Sequence, residues 1–68
     1  MNEDEMMQIH VSDDVDKILS IVKAKELAKR AGFNEHEGFM IATAVSELAT
    51  NILRYAQEGQ ITIRIVHR

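Results

Sequence analysis

The run Ala42-Thr43-Ala44-Val45-Ser46-Glu47-Leu48-Ala49-Thr50-Asn51 decides how this chain is read. Extended by Ile41 and Ile52, it carries apolar residues at Ile41, Val45, Leu48 and Ile52, steps of three and four that form one stripe of an α-helix. The spacing assigns that stripe to the core and puts Met40, Glu47, Asn51 and Arg54 on an adjoining face. Glu47 and Asn51, four residues apart, stand one turn from each other and point the same way. A carboxylate beside a carboxamide suits magnesium-dependent phosphoryl transfer: the amide oxygen is a ligand for a hard cation, and the carboxylate can orient or deprotonate a nucleophile.

Upstream of this run, Asn34 and Glu37 have the spacing of a capping box, so the helix is expected to start there and continue to about Gln57. Gly38 near its beginning costs about 1 kcal/mol relative to alanine unless packing or its early position excuses it. Gly32 sits where a C′ residue needs positive φ and closes an earlier helix, with Phe33 able to cover that end. The earlier helix has Ser12 or Asp13 as N-cap and Asp14 and Asp16 in its first turn. Its apolar positions Val15, Ile18, Leu19, Val22, Leu27, Ala28 and Ala31 are expected to form the buried face. Before it, Met7, Ile9 and Val11 alternate with Gln8 and His10, the period of a half-buried strand, and residues 1–5 are acidic and expected to be disordered. Downstream, Glu58-Gly59 marks a turn, and from Gln60 onward Ile61, Ile63 and Ile65 alternate with Thr62 and Arg64 in a second strand. The chain has no internal repeat and no low-complexity segment. Its fold class is α+β, in the order strand, helix, helix, strand.

At 68 residues, with no cysteine, proline or tryptophan, the chain holds one small domain at most. Chains this short bury only about three fifths of their unfolded surface, so a monomer is marginal. A hydrophobic fraction of 46% in periodic sets excludes a disordered tail. No run approaches the roughly twenty apolar residues of a membrane span, and the acidic start is unlike a secretory leader. The expected location is the cytoplasm. A net charge of −3 argues against a nucleic-acid surface. Lys23, Lys25, Lys29 and Arg30 cluster late in the first helix, where they complement its dipole. His10, His36 and His67 fall on three different elements with no second ligand at metal spacing, which argues against a zinc or catalytic histidine site. Met6, Met7 and Met40 read as core filler rather than a binding patch.

With its flanks, the stretch from Ile41 to Ala56 resembles the N-box of the GHKL (Bergerat-fold) ATPases, and most closely the RsbT-type serine kinases and anti-sigma factors of bacterial stress-response modules. Ser46-Glu47-Leu48-Ala49, then Asn51, Ile52, Tyr55 and Ala56, and after a short turn Gly59-Gln60-Ile61, carry the resemblance. It implies that residues 1–68 are a single partial domain, the N-terminal half of a Bergerat α/β sandwich with two helices across one face of a mixed sheet. It further implies ATP and magnesium as cofactors, Glu47 as general base, Asn51 as magnesium ligand, and Arg54 beside the nucleotide, with Tyr55 as a core or rim aromatic. A complete relative would phosphorylate a serine or threonine of a STAS-type antagonist protein, and a sigma factor or phosphatase would be a further partner. Three positions depart from the pattern: Met40, Thr50 and Ile21 fall where many relatives are basic. The Asp-x-Gly-x-Gly adenine box and the glycine-rich lid are also missing from this sequence, so the chain alone is expected to be inactive.

A second reading, from a different class, is an interaction module without chemistry that pairs through its helices or a strand edge. In either reading self-association is expected, with the strand Ile61 to Val66 at or near the interface, because a two-stranded sheet leaves a long β-branched edge open.

Overall fold

In the computed structural model residues 4–66 are described, and they form β1 (Asp4–Val11), α1 (Asp14–Arg30), α2 (Glu35–Asn51), a single wide π-turn (Ile52–Ala56) and β2 (Gly59–Val66). The α+β order of strand, two helices and strand stands as the sequence reads. The strands form a two-stranded antiparallel sheet. Its register sets Ile9 opposite Ile61, Met7 opposite Ile63 and Val11 opposite Gly59. The first strand begins at Asp4, earlier than the alternation from Met7 indicates, and the remainder of the acidic start lies outside the described residues, as do His67 and Arg68.

Alternation gives the sheet one apolar face. Ile9, Val11 and Ile61 join Ala24 of α1 and Val45 and Ala49 of α2 in one buried cluster, with Met7, Ile41, Ile52, Leu53 and Ile63 packed around it. The opposite face carries exposed Met6, Gln8, His10, Gln60, Thr62 and Arg64. Among the described residues no helix is long and apolar enough to cross a membrane.

Helix ends follow local chemistry. Of the two candidate caps on α1, Asp13 is the N-cap: its carboxylate accepts from the Asp16 amide at 2.8 Å. Asp16 in turn accepts from the Ser12 amide and hydroxyl at 2.9 and 3.0 Å. Those two bonds, the amide first, hold the exposed Asp16 carboxyl below its usual range. At the other end the Gly32 amide donates to the Lys29 carbonyl and the Phe33 amide to the Ala28 carbonyl, which is a Schellman closure with Gly32 at φ 95°. The capping box of α2 is present in both directions, Glu37 N–H to Asn34 Oδ1 at 2.8 Å and Asn34 N–H to Glu37 Oε1 at 3.0 Å.

Three sequence expectations are corrected. The buried side of α1 consists of Ser20, Ala24, Leu27 and Ala28, whereas Val15, Ile18, Leu19 and Val22 face outward. Small residues win that side because two helices and a sheet converge on it, and large side chains there would force them apart. Ser20 is tolerated because its hydroxyl donates to the Asp16 carbonyl at 2.7 Å. On α2 the core stripe is Gly38, Ala42, Val45 and Ala49, and Leu48 stands outside it, 51% exposed. Finally, α2 does not run to Gln57 as a regular α-helix: it widens after Asn51, and Gln57 ends the turn at φ 68°, ψ −31°, a left-handed conformation that glycine adopts more readily.

Gly38 permits a direct stability test. A Cβ built there lies 3.9 Å from the Ala28 Cβ, an ordinary van der Waals contact. Gly38→Ala is therefore expected to stabilise the domain by about 1 kcal/mol through backbone entropy and helix propensity. That gain corresponds to a rise of about 4–8 °C in the thermal midpoint, read by circular dichroism. A lowered midpoint would mean that the two helices approach more closely than this geometry has them.

Candidate functional site

The second helix positions Glu47 and Asn51, and the π-turn that follows it positions Arg54. The inward side of the helix is fixed by Ala42, Val45 and Ala49, so Glu47 and Asn51, displaced from these by about half a turn, point to solvent on the far side of the helix. They lie opposite the core stripe rather than beside it, with Met40 on the same side about two turns before Glu47 and three before Asn51. The sequence pairing is kept: Glu47 and Asn51 are exposed and one turn apart. Neither makes a side-chain hydrogen bond or ion pair among the described residues, which leaves the carboxylate and the amide oxygen free to accept.

The third candidate, Arg54, sits in the π-turn that begins directly after Asn51. Such turns are uncommon and occur often at functional sites, because the extra residue in the turn changes where the following side chains point. Its guanidinium carbon stands 5.9 Å from the Tyr55 ring centroid. Tyr55 is 77% exposed, so it is a surface platform for Arg54 and not a core aromatic. The turn has no counterpart in the sequence periodicity, which continues smoothly through Ile52.

Of the positions that depart from the resemblance, Met40 is exposed, Thr50 returns its hydroxyl to the Ser46 carbonyl at 2.8 Å, and Ile21 is half-buried between the helices. Ile21 lines a shallow groove with Lys25, Phe39, Ala42, Thr43 and Ser46. That groove shares Lys25 and Phe39 with a larger one of about 690 Å³, which continues to Lys29, Phe33 and Glu35 at the junction of α1 and α2. Sequence reasoning did not single out this groove. Phe33 and Phe39, each beside a helix end, were its only signal. Neither groove is lined by Glu47, Asn51 or Arg54.

As donors, the three site residues suit a magnesium nucleotide in part. No group of three or more His, Cys, Asp or Glu side chains able to hold a metal occurs among the described residues. Magnesium needs no such cage when it arrives on a phosphate, since it takes one or two protein oxygens and completes its shell with phosphate and water. Asn51 can supply one of those oxygens, and Arg54 a compensating positive charge. The exposed face of α2 thus offers a base and an oxygen ligand, and the turn after it a cation, without walls for a nucleoside. Compared with protein-family models, curated proteins and solved structures, the chain matches none.

Proposed function

We propose that this chain is the N-terminal half of a cytoplasmic, ATP-dependent serine/threonine kinase or anti-sigma regulator of the Bergerat type, acting on a STAS-type antagonist. One observation carries the reading: Glu47 and Asn51 stand one turn apart on an exposed helix face with free acceptor atoms, on the second helix of a strand-helix-helix-strand unit. In this reading Asn51 holds magnesium through its amide oxygen, and Arg54 faces the phosphates. Glu47 takes the proton from the attacking hydroxyl. Magnesium, when bound with ATP, neutralises the charge that develops on the transferred phosphoryl group.

The groups that would enclose adenine and cover the phosphates are not among these 68 residues. Magnesium-ATP is therefore expected to bind this chain no better than about millimolar, a loss of several kcal/mol relative to an enclosed site. Amide chemical shifts followed during a magnesium-ATP titration test the site directly. Movement should be confined to residues 47–54 and vanish in Asn51→Ala. Shifts centred on Lys25, Lys29 and Phe39 would instead place the nucleotide in the groove between the helices and remove the basis for the kinase reading.

A further inference from the structure

One corner of the sheet gathers a histidine between carboxylates from two other elements. His10 lies on the solvent face of β1, opposite Gln60 of β2, and its Nε2 stands 3.3 Å from Oε1 of Glu58. Glu58 belongs to the short link, Gln57-Glu58, that leads from the π-turn into β2. A second carboxylate feels the same ring. The Asp16 carboxyl at the head of α1 is held low chiefly by the Ser12 amide and hydroxyl, and the charge of His10 adds to their effect. Asp13 and Asp14 beside it have the same sign, and Lys17 is the one base in the first turn of that helix. Across the sheet, Gln60 and Thr62 are uncharged, and Arg64 lies opposite Met6, about 13 Å further along β2. The backbone does not hold this link by itself: Gln57 is at φ 68°, a conformation that residues with a Cβ adopt reluctantly.

We infer that His10 is a proton-operated clasp: once charged, it holds Glu58, and with it the link from the π-turn to β2, against the end of β1. Histidine gains its charge between about pH 8 and pH 5, where Glu58 and Asp16 are already ionised. The clasp is therefore closed on the acid side of that range and open on the alkaline side. Both partners are largely exposed, 62% and 65%, and an ion pair in such a setting adds little to global stability. Its effect is local order in residues 57–59, a segment that otherwise depends on Gln57 staying in its left-handed conformation. Because the π-turn with Arg54 lies immediately before this link and Asn51 immediately before the π-turn, the clasp steadies the end of the candidate site. The inference itself does not rest on the kinase reading, since it needs only the His10 and Glu58 side chains and the link between them.

Nitrogen-15 correlation spectra of the whole chain, recorded from about pH 5 to pH 8.5, test this. The amide signals of Gln57, Glu58 and Gly59 should move with the same midpoint as the His10 ring protons, and their heteronuclear NOE values should be higher on the acid side, reporting lower picosecond-to-nanosecond mobility. Glu58→Gln keeps the size of the side chain and removes its charge. In that variant His10 should still titrate, while the pH-dependent movement at Gln57 and Gly59 falls about threefold or more. Salt at about 1 M should reduce the native response in the same direction, because the pair is exposed. His36→Gln/His67→Gln, which removes the other two imidazoles, should leave the response unchanged. Amides of residues 57–59 that ignore the His10 titration would overturn the inference, as would equal NOE values at the two ends of the range. So would a response undiminished in Glu58→Gln, which would mean that the ring acts on Gly59 through space without holding Glu58.

Discussion

Ile61→Ala is expected to leave most of the chain unfolded at 25 °C. Ile61 is 4% exposed, lies opposite Ile9 in the centre of the sheet, and belongs to the one buried cluster that joins sheet and helices. Truncating such an isoleucine removes its burial and leaves a cavity, at a cost of about 2–5 kcal/mol. A core of this size rarely supplies more than about 3–5 kcal/mol, so the loss is comparable to the whole. Urea titration followed by circular dichroism, at about 1 μM so that association contributes little, should show the variant's transition shifted to near zero denaturant or absent. A cooperative transition within about 0.5 M of the native midpoint would show that the core does not depend on this strand pair.

The second large effect concerns chemistry. In a protein carrying the complete fold of the proposed kinase, Glu47→Ala should leave nucleotide binding nearly intact and lower phosphoryl transfer about a hundredfold or more, as removal of a general base does. Asn51→Ala should weaken metal-nucleotide binding itself. The structure makes this contrast readable, because Glu47 is exposed and makes no side-chain bond among the described residues. Alanine there costs no folding energy worth measuring, so a fall in rate cannot be traced to unfolding. Transfer of the γ-phosphate at an undiminished rate in the Glu47 variant would take that residue out of the chemistry.

What the sequence made legible was set by range. Asn34 with Glu37, Asp13 before the first helix and Gly32 after it all act within a few residues, and each sits in the geometry its chemistry demands. The alternating isoleucines of β2 are equally local. The faces of the helices were legible only in part: Leu27, Ala28 and Val45 turn inward as expected, but hydropathy ranks residues by bulk while close packing selected Ala24, Ala42 and Ala49 over Val15, Ile18 and Leu48. Which of two apolar sides turns inward depends on what arrives from elsewhere in the chain. The candidate site was legible as a spacing, since four residues make one turn wherever the helix lies. Its lack of surrounding walls was legible too, in the missing adenine box and lid, but the π-turn at Ile52 was not, because its residues carry no signature in their periodicity.

That wide turn also decides where this chain can tolerate a change of length. A π-turn holds one residue more than the α-turn it replaces, and here it lies between a helix whose inward side is set by Val45 and Ala49 and a strand whose inward side is set by Ile61 and Ile65. Losing one codon within Leu53 to Ala56 could be absorbed by tightening the turn, with both flanking elements left in phase. The same deletion inside β2 would send Ile61 or Ile65 to the polar side of the sheet. On the other flank, a Cβ added at Gly59 would stand 3.1 Å from Ile52 Cγ2, so the junction accepts a shorter chain more easily than a bulkier one. The slack that lets helix and strand vary independently therefore sits next to Asn51, at the edge of the face proposed to meet the nucleotide.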